Sequence, residues 1–380
     1  MLWDIAKKTE TTIKIIEMGK YMKAHVLYGI NDLRYEEVEM PAPNKDDVLV
    51  KVEAVGICGS DIPRIFETGA HKHPLIPGHE FAGTVCKLGE NAEADLLGKR
   101  VGVFPLIPCR KCGPCLNKQY EMCRNYNYLG SRCDGGFAEY VCVPINNLME
   151  LPDNVSFEDA AMLEPTAVSM HAITKMFHGD FWHNTELLKK NVVVIGLGTI
   201  GLLLTMNLVA EGFENIYVVG NKNFQYEKAV ELSISPDNYC DSRENDVVQW
   251  LMSKTNGVGA DYVFECVGKN NTFSQAVCMS APLGKIVVVG NPASDMKVER
   301  NIYWKILRNQ LEIRGTWNSS FTGEVDDDWH YVVDQIVSGS IMPSKLISHR
   351  MNLSELDKGL QIMRDKTEDY VKIMISLKKI

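Results

Sequence analysis

The 380-residue sequence has no apolar run long enough to cross a bilayer, a crossing that takes about 20 residues. It also lacks a basic excess. Its 49 Asp and Glu outnumber its 40 Lys and Arg, for a formal net charge of −9. Nucleic acids and anionic membranes reward a basic face, so neither is an expected partner. A local basic pocket for a small phosphate is compatible with this balance. No internal repeat or low-complexity segment occurs. Residues 1–21, with Lys7, Lys8, Glu10 and Lys14, contain no continuous apolar core and do not read as a secretory signal. They read as an N-terminal extension ahead of a more ordinary start at Met22, and the compartment expected is the cytoplasm.

Cysteine, by contrast, is plentiful. The count of 11 is odd, and four are crowded into Cys109-x2-Cys112-x2-Cys115-x7-Cys123. Without a secretory signal this pattern reads as metal binding rather than a disulfide framework. Four thiolates enclose a tetrahedral zinc and leave no open position, which makes such a site structural. Pro108, Gly113 and Pro114 supply the turns, whereas isolated cysteines such as Cys86 and Cys142 read as core packing.

A second set of donors is spread along the chain. Cys58 stands on a glycine-flanked turn in Val55-Gly56-Ile57-Cys58-Gly59-Ser60-Asp61. An imidazole and carboxylates follow in Gly78-His79-Glu80 and Leu163-Glu164-Pro165. One thiolate, one imidazole and one or two carboxylates form a borderline-soft set suited to zinc. Three protein ligands leave a position for water or substrate, as catalytic zinc requires. Ser60, two residues after Cys58, is placed to relay a proton from an alcohol.

A chain of this length exceeds one ordinary core, so two domains are expected. Residues 22–168 alternate short β-rich runs with Gly and Pro, which predicts a mostly β catalytic domain. Residues 169–315 change character. Asn191-Val192-Val193-Val194-Ile195 runs into Gly196-Leu197-Gly198-Thr199-Ile200-Gly201, then a helical stretch, then Asn215-Ile216-Tyr217-Val218-Val219. A Gly-x-Gly-x-x-Gly that follows a strand and opens a helix reads as a dinucleotide site, with the pyrophosphate at the helix N-terminus. Further β and α alternation predicts an α/β fold with a doubly wound parallel sheet. Within it, the apolar strand Ile286-Val287-Val288-Val289 is a candidate for pairing across a subunit interface. Residues 316–380 return to short β runs such as Tyr370-Val371-Lys372-Ile373-Met374-Ile375 and are expected to rejoin the first domain.

The end of the second strand bears on cofactor choice. NAD-selective sites usually carry an acidic residue there for the ribose 2′-hydroxyl. Here Gly220-Asn221-Lys222 follows, with no acidic residue before Tyr226. Gly220 leaves space and Lys222 offers charge to a 2′-phosphate, so NADP is the expected preference, with NAD possible.

Together these residues resemble the zinc-containing medium-chain alcohol and polyol dehydrogenases from Met22 onward. Carrying the resemblance are Cys58-Gly59-Ser60-Asp61, Gly78-His79-Glu80, the four-cysteine run, Glu164-Pro165 and the Gly196 to Gly201 loop. It implies a GroES-like catalytic domain joined to a Rossmann domain, in a dimer or tetramer. It carries over Cys58, His79 and Glu164 as catalytic-zinc ligands, with Glu80 as an alternating ligand or a water-holding neighbour. Cys109, Cys112, Cys115 and Cys123 carry over as the structural site.

Residues 58–66 with Gly69-Ala70-His71, residues 130–140, and residues 305–308 with Gly315-Thr316-Trp317 are most similar to members acting on polyol phosphates. The reaction implied is oxidation of a secondary alcohol of a polyol phosphate, such as galactitol 1-phosphate, to a ketose phosphate with NAD(P). Sorbitol, arabitol phosphate and ribitol phosphate are alternative substrates. Arg64 and Arg132 are candidates to bind the substrate phosphate, since guanidinium matches phosphate oxygens. Trp317 and Asn318 are candidates to line the pocket. Two positions depart from the family: Pro63 stands where alcohol dehydrogenases often have His, and Gly220 where polyol-phosphate relatives carry Asp.

Overall fold

The computed structural model describes residues 19–177 and 185–377. Residues 1–18 of the expected extension lie outside the described residues, and Tyr21 already belongs to the first strand. Strands β1 (Tyr21–Gly29) and β2 (Asp32–Glu39) form an antiparallel hairpin. Then come β3 (Asp47–Ile57), α1 (Asp61–Phe66), β4 (Glu80–Leu88) and β5 (Arg100–Val103). β3 is buried along almost its whole length, because β4 and β8 flank it and both faces are covered. An all-apolar reading of Val48 to Val50 follows from that position.

A projecting lobe holds β6 (Leu106–Ile107), α2 (Gly113–Leu116) and β7 (Asn127–Tyr128), after which β8 (Tyr140–Pro144) and β9 (Leu148–Glu150) rejoin the sheet. α3 (Phe157–Ala161) is capped by Ser156, whose hydroxyl accepts the Asp159 N–H. α4 (Leu163–Phe177) follows, with Pro165 in the first turn, where a missing N–H costs nothing. α4 is buried almost all round.

The second unit alternates strictly: β10 (Asn191–Ile195), α5 (Thr199–Ala210), β11 (Asn215–Gly220), α6 (Asn223–Glu231), β12 (Tyr239–Asp241), α7 (Val247–Lys254), β13 (Ala260–Glu265), α8 (Asn270–Met279), β14 (Ser280–Val288), α9 (Arg300–Asn309) and β15 (Glu312–Gly315). All pairs are parallel, in the spatial order β12-β11-β10-β13-β14-β15. The order reverses between β10 and β13, which opens a crevice at the strand ends for a nucleotide. One expectation is overturned here. β14, which contains Ile286, Val287 and Val288, pairs with both β13 and β15 and has no free edge for another subunit. Its continuous apolar character reflects burial within the sheet instead.

The chain then passes through α10 (Asp328–Val337), β16 (Ile347–Asn352), α11 (Leu356–Asp365) and β17 (Lys372–Ser376). β17 lies antiparallel to β3, with Ile373 opposite Ile57, and so extends the first sheet to the order β16-β17-β3-β4-β5-β9. Segments on either side of the nucleotide-binding unit therefore share one sheet. No described helix is long and apolar enough to cross a membrane. The fold is α/β, as expected: a GroES-like, mostly β unit and a Rossmann unit.

Candidate active site

Antiparallel register assembles the first donor set. Gly56 on β3 faces Glu80 on β4, which places Cys58, just past the end of β3, beside His79. The ligand atoms of Cys58, His79 and Glu80 lie within 4.8 Å of one another. Two glycines permit the approach. A Cβ at Gly56 would overlap the Glu80 carboxylate, and Gly78 combines a φ of +93° with a Cβ position 2.6 Å from the Phe137 ring. A thiolate, an imidazole and a carboxylate converging from buried backbone fit a zinc ion with an open position.

The groups behind these donors were not singled out in the sequence. Asp61 is fully buried, accepts the Cys58 N–H at 3.0 Å, and lies 3.6 Å from His79 Nδ1. Nδ1 makes no hydrogen bond within the protein, and the Asp61 carboxylate stands within ion-pair reach of it, where it can steady the ring behind a metal ligand. Burial opposes a charge on His79, but the neighbouring Asp61 and Cys58 outweigh it and hold the imidazole well above its usual range. Lys372 is 3% exposed and donates to both Glu80 oxygens, at 2.6 and 2.8 Å, and to the Ile57 carbonyl at 3.2 Å. The available signal was a lysine inside an apolar strand, where an unpaired charge is not tolerated.

Glu164 opens α4 and is buried, and the Tyr128 hydroxyl donates to its Oε1 at 3.1 Å. Burial pushes its carboxyl up to about 7, against the pull of His79. Glu80 lies with the Cys58 and His79 donors, while Glu164 is a charged neighbour of both His79 and Glu80. Ser60 is exposed, and its hydroxyl donates to Cys58 Sγ at 3.4 Å. Arg64 departs from its expected role. Its guanidinium pairs with buried Asp61 at 2.5 Å and serves as that carboxylate's counter-ion. Arg132 has no carboxylate partner among the described residues. It stacks on Tyr126 with its guanidinium carbon 4.4 Å from the ring centroid, and its backbone N–H donates to the Tyr128 carbonyl. Tyr126 packs edge-on against Tyr128, which in turn packs edge-on against His79. Trp317 is 52% exposed, and Asn318 accepts the Ser319 N–H. No hydrogen bond or ring contact among the described residues joins either to the Cys58 cluster.

The four-cysteine run folds around a tight helical turn. The sulfurs of Cys109, Cys112, Cys115 and Cys123 lie within 4.8 Å of one another. Backbone N–H groups from Arg124 and Cys115 hold the Cys112 thiol down to about 6, favouring the thiolate that a metal needs. Four sulfurs at this spacing fit a closed tetrahedral zinc site.

At the nucleotide crevice, Gly196 has a φ of +92° and Gly198 caps α5, whose first turn carries Thr199, Ile200 and Gly201. A Cβ on Gly201 would overlap the Gly196 carbonyl. The Thr199 hydroxyl donates across the crevice to the Val371 carbonyl at 2.5 Å. The expectation of open space at Gly220 is corrected. A Cβ there would stand 2.6 Å from the Tyr239 hydroxyl and 2.9 Å from Gln225 Oε1. The Asn221 N–H donates to that same Gln225 oxygen. Lys222 is not a free cation either, since its Nζ lies 3.2 Å from Asp369.

Residues 44–153 match the alcohol dehydrogenase GroES-like domain, and residues 199–338 match the zinc-binding dehydrogenase domain. Galactitol 1-phosphate 5-dehydrogenase of Escherichia coli K12 is 33% identical over 331 residues, covering 87% of this chain and 92% of the relative. A crystal structure of the galactitol-1-phosphate dehydrogenase from E. coli matches with a TM-score of 0.83 at 30% identity, over 93% of this chain and 100% of that one. L-idonate 5-dehydrogenase of Vitis vinifera is 31% identical over 92% of this chain and 93% of its own length. A protein from Sinorhizobium meliloti 1021 described as a zinc-binding dehydrogenase, bound to NADP, matches with a TM-score of 0.82 at 28% identity, over 94% of this chain and 100% of that one.

Proposed function

This chain belongs to the family of zinc-binding dehydrogenases, and we propose that within it the chain oxidises a secondary alcohol of a polyol phosphate, of the galactitol 1-phosphate kind, to a ketose phosphate with NAD(P). Residues 22–168 and 316–380 form the catalytic domain in this reading, and residues 169–315 bind the nucleotide. The enzyme is a cytoplasmic homo-oligomer, and NADP is the preferred cofactor.

When bound, zinc activates the alcohol as a Lewis acid, and the nicotinamide is the hydride acceptor. The residues that would hold the catalytic zinc are Cys58, His79 and a carboxylate from Glu80 or Glu164. Asp61 sets a carboxylate beside the His79 ring, and Lys372 keeps the Glu80 charge compensated in a buried setting. Glu164, pushed to about 7, is suited to accept a proton near neutral pH. That group offers the exit route that Pro63 cannot. Gly196, Gly198 and Gly201, with Thr199 and Ile200, would hold the pyrophosphate at the start of α5. Cys109, Cys112, Cys115 and Cys123 would hold the structural zinc.

The observation that carries the phosphate reading is the line of contacts from His79 through Tyr128 and Tyr126 to Arg132. Its guanidinium is free of any described carboxylate and is linked to the zinc ligands through two rings, which supports a role in holding the substrate phosphate. The test is initial rates of NADPH and NADH formation with galactitol 1-phosphate, free galactitol, sorbitol and a pentitol phosphate. Turnover confined to phosphorylated substrates supports the reading. Equal turnover of free sorbitol sinks it and leaves a general polyol dehydrogenase. One second reading, a dehydrogenase of another polyol or pentitol phosphate, is supported by 27% identity over 93% of this chain to a sorbitol dehydrogenase of Bacillus subtilis.

A further inference from the structure

The loop after α11 and the first residue of β17 together touch three separate parts of the site. Lys372 holds Glu80, the Val371 carbonyl accepts the Thr199 hydroxyl, and Asp369 pairs with Lys222 at 3.2 Å. Further contacts hold the loop in place. Glu368 pairs with His349 at 3.2 Å, and the Val371 N–H donates to the Ser348 hydroxyl at 3.1 Å. Asp369 is therefore carried on an anchored segment. Lys222, at the end of β11, stands where a doubly wound sheet receives the adenosine ribose. Its ammonium also lies 5.2 Å from the Phe224 ring centroid.

The charges around this point are already balanced. Lys222 is matched by Asp369, and nearby Arg243 is matched by Asp241 and donates to Asn223. We propose that Asp369 is a specificity-determining residue, supplied from the catalytic lobe, that competes with a cofactor 2′-phosphate for Lys222. This proposal rests on the dehydrogenase reading above. A ribose 2′-hydroxyl can donate to the Asp369 carboxylate and leave the ion pair intact. A 2′-phosphate must displace that carboxylate and then stay beside it, two like charges at close range. The pair is exposed and weak enough to exchange, so NADP is admitted, but with a smaller preference than Lys222 alone would confer.

The experiment is calorimetric titration of the zinc-replete full chain with NADP+ and NAD+, with no substrate present. Asp369→Asn and Asp369→Ala are expected to tighten NADP+ binding by about tenfold, the size of one screened like-charge contact. NAD+ binding should hold steady or weaken. Lys222→Gln should weaken NADP+ selectively, and Glu368→Gln, on the same loop but paired with His349, should leave the ratio of the two affinities unchanged. An unaltered ratio in both Asp369 variants overturns the proposal, as does an equal weakening of both cofactors. If the parent chain binds neither cofactor, the dehydrogenase reading itself fails. If it binds both and the ratio stays put, only the role of Asp369 fails.

Discussion

Lys372 Nζ lies 2.6 and 2.8 Å from the two carboxylate oxygens of Glu80, a residue 292 positions earlier in the chain. Both side chains are almost wholly buried. Removing one partner of such a pair costs about 3–5 kcal/mol, because the other charge is left uncompensated. Lys372→Met should lose stability on that scale in urea unfolding of the metal-free protein. The double variant Glu80→Gln with Lys372→Met should lie closer to the parent than the sum of the single losses. Simple additivity would mean that the two groups do not compensate each other.

Gly78 precedes His79 with a left-handed φ of +93°, and its Cβ position is occupied by the Phe137 ring. Gly78→Ala is expected to cost about 1–3 kcal/mol and to displace His79 from the cluster. Metal analysis should find less zinc per chain, with the four-cysteine site still filled.

The converse holds at that second site. Cys112→Ser removes a sulfur whose thiolate is favoured by backbone N–H groups, so one zinc should be lost while the other remains. Since structural zinc contributes directly to folding, the melting temperature should fall and proteolysis should begin within residues 109–123. Full retention of both metals would contradict the tetrahedral reading.

Arg64 and Arg132 should separate cleanly. Arg132→Gln is expected to raise KM for a phosphorylated polyol by about tenfold or more, the size of a lost charge-assisted contact, with little change for a free polyol. Arg64→Gln instead leaves buried Asp61 without its cation. It should lower stability and zinc content for every substrate alike.

Glu211, on the turn after α5, accepts a hydrogen bond from Tyr331 on α10. Burial raises its carboxyl above the ordinary value, and the Tyr331 hydroxyl pulls it back only in part. A raised carboxyl favours the protonated form in the fold. The stability it brings is complete below the ordinary carboxylate range and is lost as pH rises through the raised value. Glu211→Gln, which can still accept from Tyr331, removes that loss. Its melting temperature relative to the parent should therefore be higher at about pH 7.5 than at about pH 4.

Legibility in the sequence followed the distance over which each feature is encoded. The β10, glycine loop and α5 succession is a local pattern, and the four-cysteine lobe lies within 15 consecutive residues. Both could be read without a fold. The strand at residues 286–289 misled because an apolar run looks the same in an internal strand and at an interface. Gly220 misled because the atoms that fill its space come from Tyr239 and Gln225. Lys372 and Asp369 passed unnoticed as ordinary charged residues, since their partners lie 292 and 147 positions away.

By itself, then, the sequence determined the donor types, the nucleotide loop and the α/β class, because thiolate spacing, glycine turns and strand–helix alternation act over a few residues. Only the tertiary structure decided that Glu80 lies beside Cys58 and His79, that Arg64 is committed to Asp61 while Arg132 is free of any described carboxylate, and that Lys222 faces Asp369. Those outcomes depend on sheet register and on β17 returning beside β3. Electrostatic partnership is set by distance in space, which local sequence does not encode.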